Sequence, residues 1–177
     1  MVPPPGYHRR VAEIIRDYGG LLIIDEVQAG FGRTGKWFGI EHWDVEPDIM
    51  IMAKGIAGGM PVGATVTTDE IASSWTSKTI STFGGNPICM AAMAETLAIM
   101  KDEDVPGRAV TLGGQLRAGL EALAGEFSWL GDVRGMGLMQ AVELVSDPVT
   151  KEPDAPRTAA IMEATKDEGL LIGKAGL

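Results

Sequence analysis

Leu21-Leu22-Ile23-Ile24-Asp25-Glu26-Val27-Gln28-Ala29-Gly30-Phe31-Gly32-Arg33-Thr34-Gly35-Lys36 is the stretch on which the reading of this chain turns. Four aliphatic residues without alternation predict a short strand buried on both faces of a parallel sheet. Two carboxylates end that strand, and a glycine-rich loop follows at 29–36. Ligands of open α/β sheets bind at the carboxyl ends of strands, so Asp25 and Glu26 are candidates for chemistry. Helix capping or salt bridging explains such a pair equally well. A nucleotide-hydrolase alternative needs a phosphate loop, and Gly30 to Lys36 fits GxxxxGK. It fails at Trp37, which has no hydroxyl for magnesium, and the loop follows the acidic strand directly.

Upstream, Val11, Ile14, Ile15 and Tyr18 follow the i, i+3, i+4, i+7 rule, which predicts an amphipathic helix over 7–18 stopped by Gly19 and Gly20. Downstream, 48–53 predicts a second apolar strand ending at Lys54-Gly55, and 62–68 a third, rich in β-formers. Helix, strand, loop, strand, strand fits part of a layered α/β domain. Lys54 follows five nonpolar residues. A poorly hydrated ammonium gives up its proton more readily and attacks carbonyls as the free amine. Most lysines at strand ends simply reach solvent; an acid at the neighbouring strand tip strengthens the reading. Ser81-Thr82-Phe83-Gly84-Gly85-Asn86-Pro87 precedes a helix and fits either an ordinary capped turn or an anion site. An amine, a carboxylate and phosphate donors are the parts that pyridoxal phosphate requires.

Asn86-Pro87 opens a helix to about Met100, and the break at 101–107 predicts a domain boundary between 103 and 104. Beyond it, Leu112, Leu116, Leu120 and Leu123 form one stripe of a second helix. A strand at 138–144, a polar loop at 146–156 and a helix at 157–168 follow, and 170–177 reads as a strand entering a loop. The net charge of −9 argues against nucleic acid as a partner. No apolar run is long enough to span a membrane. One cysteine precludes an internal disulfide and suits a reducing compartment, and two histidines make a zinc site implausible.

The strings Leu22 to Gly35, Pro47 to Ala64 and Ser81 to Pro87, in that order and spacing, resemble the class III (omega) aminotransferases of fold type I. Val133-Arg134-Gly135-Met136-Gly137-Leu138 is similar to that family's C-terminal domain. The resemblance is nearest to the alanine–glyoxylate and β-alanine–pyruvate types. It implies the C-terminal part of a large pyridoxal-phosphate domain at 1–103, with a mixed, mostly parallel sheet, and an incomplete small α/β domain at 104–177. It implies that Lys54 forms the Schiff base and moves the α-proton, and that Asp25 pairs with the ring nitrogen. Val27 would pack on the ring, Gln28 would bond its phenolic oxygen, and Thr82 would reach the phosphate held by a neighbouring subunit. The implied protein is a cytoplasmic homodimer. It moves an amino group from an amino acid or amine to a 2-oxo acid such as pyruvate or glyoxylate. Arg33 and Arg134, set among glycines, read as structural. Family members are more than twice this length, so the chain resembles a fragment, expected neither to fold stably nor to transaminate alone. A decarboxylase or aminomutase of the same fold, and a non-catalytic remnant, are the alternatives.

Overall fold

The computed structural model describes residues 2–175. Its first strands are β1 (Ile23–Asp25), β2 (Ile49–Met52) and β3 (Ala64–Thr67). They form one mixed sheet in the order β1-β2-β3. β1 and β2 run parallel, with Asp25 opposite Ile51; β2 and β3 run antiparallel, with Met52 opposite Ala64. Parallel neighbours need a long crossover. Here residues 26–48 supply it as a chain of turns and a 3-10 helix, Gly39–Trp43, without an α-helix. Asp48 Oδ2 accepts the Leu22 N–H at 2.7 Å, which ties the entry of β2 to that of β1.

β1 differs from the expectation of burial on both faces. Leu22 is buried, but Ile23 is 53% exposed. Ile23 and Asp25 share one face of the strand, and both are exposed. α1 (Tyr7–Asp17) forms where the periodicity predicts a helix, with Ala12 buried and Tyr18 just past its end in solvent. It packs on the 3-10 helix at Gly39–Trp43, where the His8 and Trp43 rings meet edge to face at 4.6 Å.

The core lies behind the end of β2. Phe31, Met52, Ile56 and Ala57 are buried together, and Met50, Met60, Met93, Leu97 and Met100 pack against them. Unbranched, polarisable methionines fill irregular gaps of this kind. The last three side chains come from α3 (Pro87–Asp102), which begins at an Asn86 cap whose Oδ1 accepts the Cys89 N–H at 3.0 Å. α3 packs on a second 3-10 helix, Lys54–Ala57. α2 (Asp69–Ser73) is a short helix between β3 and the exposed segment that leads to α3.

The chain divides into two compact units, Met1–Gly113 with Met136–Met139, and Gly114–Gly135 with Gln140–Leu177. The division falls within α4 (Val105–Glu126), past the 103/104 boundary read from the sequence. Pro106, Ala109 and Gly113 are the buried residues of α4. Its leucine stripe runs elsewhere: Leu112, Leu116 and Leu123 are exposed. The second unit holds most of the hairpin β4 (Leu130–Met136) and β5 (Met139–Leu144), and α5 (Ala155–Asp167). β4 escaped the sequence reading because Gly131 and Gly135 interrupt its apolar residues. Residues 170–175 form no strand, and 176–177 lie outside the described residues. No helix among the described residues is long and apolar enough to cross a membrane.

Candidate active site

Asp25 closes β1, and Lys54 begins the 3-10 helix two residues after β2 ends. Because the two strands are parallel neighbours, their carboxyl ends open on the same side of the sheet. Lys54 sits in the left-handed backbone region, φ 50°. For a residue other than glycine this conformation costs on the order of 1 kcal/mol or more. It turns the chain so that Ile56 and Ala57 enter the core while the lysine stays on the open side. Lys54 Nζ donates to Gln28 Oε1 at 3.2 Å. Asp25 Oδ1 accepts the Val27 N–H at 2.9 Å. Asp25, Val27, Gln28, Ala29, Lys54 and Met139 line one open pocket of about 380 Å³.

The acid and the amine therefore line one pocket. The desolvated lysine expected from sequence is absent, for Lys54 is exposed. Of the five nonpolar residues before it, Met50 and Met52 pack into the core and Ile51 is exposed, so they do not enclose the ammonium.

Glu26 does something different from Asp25. Only 1% exposed, it accepts Gly39 N–H at 2.9 Å on Oε2 and Ile40 N–H at 2.7 Å on Oε1. This is the capping role, and it keeps Glu26 away from any magnesium. Residues 30–36 form turns closed by the Phe31 N–H on the Trp37 carbonyl at 2.7 Å. They do not lead from a strand into a helix, so the nucleotide-hydrolase alternative has neither of its parts. No cluster of three metal-ligating side chains occurs among the described residues.

Thr34 anchors the far end of this loop. His42 Nε2 lies 3.1 Å from its Oγ1 and 3.2 Å from its carbonyl oxygen. Burial first, then the Lys36 charge, hold the His42 imidazole below its ordinary value of 6.5. His8 is likewise lowered, by burial. The Leu138 N–H donates to the Arg33 carbonyl at 2.9 Å, which fastens the turn Met136–Met139 to the loop. Gly137 is required there: its φ is 53°, and a Cβ would fall 2.5 Å from the Thr34 carbonyl carbon. That docking brings Met139 to the pocket.

Thr82 is exposed and does not line this pocket; its neighbours Trp75, Ile80 and Phe83 are also exposed. Arg134 pairs with Asp132 and Glu143, both at 2.6 Å, and these bonds raise its affinity for the proton. Sequence reasoning missed Ala29 and Met139. Ala29 follows Gln28 in the same turn, so proximity to the motif was the available signal. Met139 arrives from far along the chain and carries no local signal.

The family described as aminotransferase class-III matches residues 1–177. A taurine–pyruvate aminotransferase of Bilophila wadsworthia is 43% identical over 185 residues, which take in 98% of this chain and 41% of that protein. The mitochondrial alanine–glyoxylate aminotransferase 2 homolog 2 of Arabidopsis thaliana is 44% identical over 173 residues, 97% of this chain and 36% of that protein. The chain thus spans well under half the length of these relatives. An amine transaminase from an uncultivated Pseudomonas species, solved in its pyridoxal-phosphate-bound form, superposes with a TM-score of 0.92 at 38% identity, covering 99% of this chain and 42% of that one. With its acid-and-lysine pocket and a family match from end to end, this chain belongs to the class III aminotransferases.

Proposed function

We propose that this chain carries the lysine end of a pyridoxal-phosphate site. In that site an amino group passes from an amino acid or amine to a 2-oxo acid such as pyruvate or glyoxylate. The supporting observation is the shared pocket of Asp25, Val27, Gln28 and Lys54. An amine, an amide, a carboxylate and an apolar side chain around one opening suit a substituted pyridine ring. None of the lining side chains carries a hydroxyl for a phosphate, so these side chains suit the ring end.

Pyridoxal phosphate, when bound, supplies an aldehyde for an amine and a protonated ring that withdraws electrons. Lys54 would hold this group through Nζ, and its free amine would take and return the proton at the substrate carbon. Asp25 would pair with the ring nitrogen, its negative charge favouring the protonated form. Gln28, whose Oε1 accepts from Lys54 Nζ, would bond the phenolic oxygen, and Val27 would pack on the ring face. Thr82, on its exposed apolar segment, serves the phosphate in a second copy, which makes the working unit a homodimer. A cytoplasmic setting goes with this reading, because the single cysteine, Cys89, is free and buried.

The test is borohydride reduction of the protein with pyridoxal phosphate, followed by peptide mapping. A label confined to Lys54 and absent from Lys54→Ala is the expected result. A label spread over other lysines, or none, removes the proposal. Supplying taurine, alanine or other amines with pyruvate or glyoxylate then identifies donor and acceptor.

A further inference from the structure

Glu26 lies between two pocket-lining residues, Asp25 and Val27, yet its side chain is almost fully buried and outside the pocket. Successive strand residues point to opposite faces, which sends one acid outward and its neighbour inward. A buried carboxylate is costly unless it is hydrogen-bonded. Its compensation here is two backbone amides, those of Gly39 and Ile40, one on each oxygen. Charge-assisted bonds of this kind are stronger than neutral ones.

The backbone of Glu26 is fixed as well. Its N–H donates to the Ile51 carbonyl at 2.8 Å, beyond the last paired residue of β1, and its carbonyl accepts the Gly30 N–H at 3.0 Å. The latter bond closes the turn that bears Val27, Gln28 and Ala29. Gly39 comes so near that a Cβ there would lie 2.9 Å from the Ala29 Cβ and 3.4 Å from Glu26 Oε2. The 38–40 segment thus presses on the back of the pocket wall, and Glu26 is the tie.

We propose that Glu26 is a positioning residue for the Lys54 pocket: its carboxylate ties the Asp25–Gln28 turn to the 39–40 amides and so aims Val27 and Gln28 at Lys54. For the cofactor this rests on the pyridoxal-phosphate reading above; for the turn it rests on the hydrogen bonds alone.

The test is Glu26→Gln in the intact protein that carries this chain. The side chain keeps its size, but one acceptor becomes a donor facing an amide N–H. Without cofactor, amide exchange at Gly39, Ile40 and Gly30 should quicken together, by roughly tenfold, since one buried bond is lost. With pyridoxal phosphate, affinity should weaken by roughly tenfold, and the pH titration of the near-ultraviolet band of lysine-bound cofactor should move. Val145→Ala, a truncation of a buried side chain in the second unit, serves as control. It should lower the unfolding midpoint and leave the cofactor affinity and the band titration unchanged. Gly39→Ala, which pushes on Ala29, should mimic Glu26→Gln. Unaltered Gly30 exchange in Glu26→Gln overturns the proposal, and so does unaltered cofactor affinity. If the unmodified protein shows no borohydride-fixable cofactor at Lys54, the pyridoxal-phosphate reading fails by itself, and Gly30 exchange still decides the role of Glu26.

Discussion

Residues 22–57 and residues 72–86 differ in how they satisfy their own chemistry. In the first, polar groups find partners within the segment: Glu26 with Gly39 and Ile40, His42 with Thr34, Lys54 with Gln28. Its apolar residues Phe31, Ile40, Met52 and Ile56 are buried. In the second, Trp75 is 69%, Ile80 93% and Phe83 81% exposed. Large apolar side chains left in water over one short stretch mark a surface suited to being covered. The first region builds half a site; the second carries Thr82 without a site beside it.

The largest effect expected is at Lys54. Lys54→Ala should abolish the borohydride-fixed label completely, and any residual label would show that the amine is elsewhere. Next is Ile56→Ala, beneath the lysine and 1% exposed, which should cost about 2–5 kcal/mol in denaturant unfolding. A cost near zero would mean that the first region is held by something other than its core. On the other side of the comparison, Phe83→Ser should change protomer stability by less than about 0.5 kcal/mol, as for exposed positions generally. The same change should weaken self-association in sedimentation. A large loss of protomer stability would show that 72–86 folds against its own chain after all.

The smallest expected effect is a pH dependence from His42. Its folded value lies below 6.5, so the unfolded chain binds the proton more readily. The His42 contribution is therefore complete above 6.5 and declines as the pH falls from there toward the lower, folded value. Urea midpoints measured across that window should show a shallower acid slope in His42→Gln, whose amide retains a donor for Thr34. An unchanged slope would assign the acid sensitivity to other groups.

Much of the fold was legible. Periodicity found α1, apolar runs found β1 and β2, β-forming residues found β3, and Asn86-Pro87 marked the start of α3. Local signals suffice there because helices and short strands are built from neighbours in sequence. The buried side of α4 was not legible: it depends on what lies against Pro106, Ala109 and Gly113, and leucine spacing carries no such information. The exposure of Lys54 was missed for the same reason, since hydration is decided by neighbours in space. Of the pocket, Asp25, Val27, Gln28 and Lys54 were visible as motif residues, whereas Met139 was not.

By itself the sequence determined the family, the two strand tips and the residue types at them, because strand ends and motif spacing are local properties. Tertiary structure alone decided that the two adjacent acids part ways, Asp25 to the pocket and Glu26 into the interior, and that Met139 closes the wall. Those outcomes depend on which distant backbone amides and side chains come to rest against each residue, and that is settled when the chain packs.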